Sequence, residues 1–85
     1  MNTPDFLDSP PASDRVTDYD KAHFVTYLRL LDAAADGADW REVARLVFSI
    51  DPATEPQRAK SMHDTHLDRA RWMAKSGYTQ LLSRV

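Results

Sequence analysis

Residues 39–77, DWREVARLVFSIDPATEPQRAKSMHDTHLDRARWMAKSG, decide the fold. Trp40, Val43, Ala44, Val47 and Phe48 recur at i, i+3, i+4, i+7 and i+8, the spacing of one buried helical face, and leave Arg41, Glu42 and Arg45 on the wet side. Asp39 with Glu42 three residues on predicts a capping box at the start of this helix. Residues 49–54, SIDPAT, break the periodicity at Pro52 and form a connection longer than the usual helix-turn-helix turn of about three to four residues. A second capping-box pattern, Thr54 to Gln57, then starts a long helix near Glu55, with Pro56 tolerated in a first turn whose amides are unpaired. Gly77 is expected to end it.

Upstream, Phe24, Tyr27, Leu28, Leu31, Ala34 and Ala35 form an apolar stripe on a helix from Asp18 or Asp20 to Asp36, with Asp residues in its first turn and Gly37 after its end. Residues 1–17 are rich in Pro, Ser, Thr and Asp and read as a disordered tail. Phe6 and Leu7, among their few large apolar groups, are a candidate short docking element. After Gly77, Tyr78 to Leu82 predicts a short helical turn that can fold Leu81 and Leu82 onto the core. The expected fold is all-α: a small helical bundle over residues 18–85, a helix-turn-helix variant with an extended turn and a short C-terminal helical turn.

Composition narrows the function. A chain of 85 residues holds one small domain. It contains no apolar run long enough to cross a membrane and no basic-then-apolar start of a signal peptide, so a cytoplasmic protein is expected. Without cysteine, neither disulfides nor thiolate chemistry is available. The sequence has no Gly-rich phosphate loop and no G-x-S-x-G, and no enzyme activity, cofactor or small-molecule substrate is expected. His63 and His66 make an H-x-x-H pair, with His23 elsewhere, but the H-E-x-x-H pattern and a third ligand are missing; histidines at a core boundary are the expectation.

The long helix carries the candidate surface. Stepping about 100° per residue puts Ala59, Met62, His63, His66, Leu67, Ala70, Met73 and Ala74 inward. Lys60, Asp64, Asp68, Arg71, Trp72 and Lys75 point outward, flanked by Arg58, Thr65 and Arg69. Facing DNA, Arg58, Lys60, Arg71 and Lys75 would reach phosphates. Asp64 and Asp68 would oppose them, since like charges at about 4 Å repel by roughly 4 kcal/mol at an effective dielectric near 20. Net charge is −2, with residues 1–39 at −5 and residues 40–85 at +3. That balance points to a protein partner, with Asp64, Asp68, Arg71, Trp72 and Tyr78 as contact candidates, and to DNA binding that is weak or absent. Trp72 could equally pack on the Tyr78–Leu82 turn, and Trp40 reads as a core anchor.

The strings DYDKAHFVTYLRLLDAAADGADWREVARLVFSIDP and HLDRARWMAKSGYTQLL resemble a proteobacterial family of unknown function with an extended-turn helix-turn-helix, most specifically in GADWREVAR, RARWM and GYxxLL. The resemblance covers residues 18–82, and stand-alone members of this length look like QseM-type antiactivators. It implies a chain that binds a transcriptional activator and blocks its control of conjugative-element excision and transfer, linked to quorum sensing. The alternative it implies is a regulator that binds DNA directly through the long helix, at the region of Arg58, Lys60, Arg71 and Lys75. Asp64, Asp68 and the acidic first helix depart from a basic surface and favour antiactivation.

Overall fold

The computed structural model describes residues 6–77. Helix α1, Asp18–Ala22, leads into α2, Phe24–Ala35; α3 is Trp40–Phe48, and α4 is Pro56–Trp72, whose end widens into a π-helical turn, Met73–Gly77. No strand occurs among the described residues. Helices α2 and α3 both pack on α4. Tyr27 and Leu30 from α2, Val43, Ala44 and Phe48 from α3, Ile50 from the turn, and Ala59, Met62, Leu67, Ala70 and Met73 bury together as one all-α core.

The expected first helix is two helices. Thr17 caps α1 with a reciprocal box, the Asp20 amide donating to Thr17 Oγ1 and the Thr17 amide to Asp20 Oδ2. At His23, φ −111° and ψ 21° leave the helical region, and the chain restarts as α2. Within α2, Tyr27 and Leu30 are buried, whereas Leu28, Ala34 and Ala35, placed on the stripe by periodicity, are exposed. All six stripe residues lie within α2, and the face that α4 and α3 cover is narrower than the apolar stripe.

Helix starts also differ from the box patterns. Asp39 caps α3, but its carboxylate accepts from the second amide, that of Arg41, at 3.0 Å. The start of α4 is Glu55, with no side-chain cap bond; the Thr54 hydroxyl donates to the Asp51 carbonyl instead, and Asp51 Oδ1 accepts from the Ala53 amide. The turn closes on itself, which leaves Pro56 to begin α4 with no amide to satisfy. At the other end of the turn, Ser49 adopts the left-handed conformation at φ 57° and stops α3.

The largest departure concerns residues 6–17. Composition predicts a loose tail, but the described part lies as a strap along one flank of α4. Phe6 stacks on His23 at 4.5 Å and meets Phe48 edge-on at 4.7 Å. The Leu7 amide donates to the Tyr19 hydroxyl. Asp8 pairs with Arg58 at 3.0 Å. Farther along, Arg69 holds the strap through the carbonyls of Ser13 and Arg15.

Arg69 is the anchor of this arrangement. Periodicity sets it on the flank of the wet arc, yet it is only 8% exposed. Its Nε donates to Asp20 Oδ1 at 3.0 Å and its Nη2 to Asp20 Oδ2 at 2.6 Å, a bidentate pair. Asp20, fully buried, also accepts from the Tyr27 hydroxyl at 2.8 Å and the Thr17 amide at 2.9 Å, so both oxygens are saturated. Trp72 covers the outer side of the guanidinium at 3.9 Å. No buried side-chain nitrogen or oxygen lacks a partner among the described residues.

Removing one partner of such a pair strands the other charge, a loss of about 3–5 kcal/mol. Arg69→Met is therefore expected to lower the urea midpoint by most of the stability of a domain this small, with loss of protease protection across residues 7–16. A loss below about 1 kcal/mol would show that the pair does not hold the fold.

Candidate functional site

Helix α4 meets its surroundings on three sides. Its inner side carries the core. One flank carries Arg58, Thr65, Arg69 and Trp72, all of which touch or border the strap. The opposite edge meets α3 through Trp40, whose ring receives Arg41 at 5.0 Å and Lys60 at 5.2 Å. Between strap and α3 lies a face that no other described element covers; it begins at Gln57, Lys60 and Ser61, all exposed, and continues through Asp64, Asp68, Arg71 and Lys75.

The predicted residues therefore separate. Lys60 and Asp64 form an i,i+4 pair at 3.2 Å, and Arg71 approaches Asp68 at 4.0 Å. Both pairs are largely open to water and contribute little, about 0–1 kcal/mol each. A competing anion can thus draw Lys60 or Arg71 away cheaply. Arg58 belongs to the strap flank, held by Asp8 and by Glu55 at 3.2 Å. Trp72 is half-buried on Arg69 and lines an open cleft of about 400 Å³ together with Pro10, Pro11 and Asp68. Tyr78, with Leu81 and Leu82, lies outside the described residues. Ala74, expected in the core, is exposed, and His63 is half-buried with its Nδ1 2.8 Å from Asp64 Oδ1.

The histidine spacing serves packing. His66 is fully buried: its Nδ1 donates to the Met62 carbonyl at 2.7 Å, so Nε2 is free to accept from the Tyr19 hydroxyl at 2.6 Å. That tautomer is neutral, and burial, helped by nearby His23, holds its pKa below the ordinary histidine value against the opposing Met62 hydrogen bond. Among the described residues no group of three or more His, Cys, Asp or Glu is placed to hold a metal ion, and no helix is long and apolar enough to cross a membrane.

Sequence reasoning missed Arg69, Asp20 and Gln57. Arg69 and Asp20 stand 49 residues apart, and no local pattern links them. Gln57 was readable only as part of a cap, and its exposure on the free face follows from where α3 and the strap lie.

Residues 6–83 match the model of the RovC DNA-binding domain family, described as "T6SS, Transcription factor, DNA binding domain". The chain belongs to this family. No curated protein matches it. Membership makes this RovC-type chain a transcription-regulator domain, the class that the sequence resemblance implied, in a family that is not a class of enzymes. The match begins at Phe6, so the family's extent takes in the strap as well as the helices.

The neutral His66 couples this architecture to pH. A group whose pKa is lowered on folding contributes stability that is present above its unfolded value, about 6.5, and lost as pH falls through the folded one. For Asp20, burial raises the pKa but Arg69, the Thr17 amide and Tyr27 outweigh it, and the net lowering adds stability above the usual carboxylate range that is lost in stronger acid. Unfolding free energy from urea titrations should therefore rise between pH 5 and 7, and His66→Gln should flatten that rise. An equal slope in the variant would refute the assignment.

Proposed function

We propose that the chain is a DNA-binding transcription regulator that lays the uncovered face of α4 into the major groove. The observation that carries this reading is the exposed N-terminal half of α4, with Gln57, Lys60 and Ser61 beside Arg41 of α3 and free of the chain's own strap. Helix-turn-helix proteins read bases with the N-terminal residues of the second helix, and the description of the family supports the same use. Lys60 and Arg41 border the face on the α3 side, with Arg71 and Lys75 farther along the helix, where a phosphate strand beside an inserted helix would pass. Arg58, beside Asp8 and Glu55, stands on the strap flank and away from this face.

The net charge of −2 does not oppose this reading as strongly as residue counting implies, because Asp64 and Asp68 are each beside a cation. It does favour a second reading. An acidic chain with a half-buried Trp72 in a proline-walled cleft suits a protein partner, and an antiactivator that occupies a transcriptional activator, lowering conjugative transfer under quorum sensing, would use Asp64, Asp68, Arg71 and Trp72.

Fluorescence anisotropy with labelled duplex DNA across a salt series separates the two. Four phosphate contacts give a slope of log K against log salt of about −3.6, and Arg41→Ala or Lys60→Ala should each reduce its magnitude by about 1. Absence of duplex binding at low salt, together with co-purification of an activator that Trp72→Ala abolishes, would replace the DNA reading with the antiactivator.

A further inference from the structure

Gln57, Ser61 and Asp64 follow one another at intervals of four and three residues along the middle of the uncovered face of α4. At about 1.5 Å rise per residue they span roughly 10 Å, the height of about three base pairs. None is a cation. The cations sit on the α3 side of this line: Arg41 and Lys60 both lie over the Trp40 ring, at 5.0 and 5.2 Å, and Arg71 follows Lys60 along the same edge. Among the described residues, no hydrogen bond or ion pair engages the side chain of Gln57 or Ser61.

Asp64 is held in place: His63 Nδ1 lies 2.8 Å from Oδ1 and Lys60 Nζ 3.2 Å from Oδ2. Its slight burial raises its pKa, but the hydrogen bonds from His63 and Lys60 outweigh that and keep it below the ordinary carboxylate value. At neutral pH it offers acceptors only. Facing phosphate, such a group is a liability. Facing the floor of a major groove about 12 Å wide, with the strands at the sides, it is a discriminator. Cytosine N4 and adenine N6 present amino donors there, whereas guanine O6 and N7 and thymine O4 present lone pairs that a carboxylate repels.

We infer that Gln57, Ser61 and Asp64 are the base-reading edge of the DNA interface: Asp64 selects an amino-bearing base, cytosine or adenine, Gln57 selects adenine through its amide, and phosphate contact is left to Lys60, Arg71, Lys75 and Arg41. The inference rests on the DNA-binding reading given above. It gives the carboxylates a role within DNA recognition. Asp68, one turn farther along the same line and mostly exposed, reaches base edges only where the helix lies along the groove.

Selection of binding sites from a randomised duplex library by the full chain tests this. The unmodified protein should enrich a site with cytosine or adenine at one position and adenine within about three base pairs of it. Asp64→Asn, which restores a donor beside the acceptor, should relax the first preference by about tenfold or more, and Gln57→Ala should relax the second by a similar factor. Arg41→Ala should weaken binding to all sequences alike and leave the selected site unchanged. Both stripe variants are surface changes, and circular dichroism checks that they fold. If they enrich the same site as the parent, or if the parent binds duplex DNA with no enriched site, the inference fails and the DNA-binding reading stands. If no duplex is retained even at low salt, both fall.

Discussion

The buried pair between Arg69 and Asp20 is the constraint from which the rest of the structure follows. An unpaired charge inside a domain is expensive, so each partner dictates what must surround it. Asp20 needs four donors and finds them in Arg69, Tyr27 and the Thr17 amide. Arg69 needs acceptors beyond the carboxylate and finds them in the carbonyls of Ser13 and Arg15. One interaction thus fixes the start of α1, the seat of α2 and the course of the strap. With a core of this size, a shell of saturated hydrogen bonds is also what stops the pair from being a net cost.

The strap in turn decides what α4 presents. By covering the Arg58, Thr65 and Arg69 flank, it leaves one long face open, while α3 bounds the other edge. A helix with two free faces could meet a partner in several orientations. With one face it has a single way in. Trp72 belongs to the holding apparatus as much as to any contact, since its ring shields the outer side of the guanidinium. Phe6 plays the matching part at the other end, where it closes the aromatic group of His23, Phe48 and His66.

Charge in this protein has to be read by place. The net value of −2 describes a molecule seen from far away, where salt screens it within about 10 Å. At contact range the relevant fact is the arrangement on α4, with Asp64 between Lys60 and His63, and Asp68 near Arg71. Counting carboxylates on a helical wheel gives their number and angle. It does not tell whether a phosphate or a base edge lies opposite.

The sequence by itself determined the helical class, the existence and near boundaries of α3 and α4, the break at residues 49–54 and the outward position of Lys60, Asp64, Asp68 and Arg71, because these depend on period and proline within a few residues of each other. Only the tertiary structure decided that α1 and α2 are separate, that Arg69 and Asp20 lie inside, that residues 6–17 are a strap and that Gln57 heads the open face. The buried pair and the strap depend on partners about 50 residues apart, and a charged residue looks the same on a helical wheel whether it meets water or a buried counter-charge. Local spacing carries the first kind of information. The second arises when the chain closes and desolvation makes each buried charge find its mate.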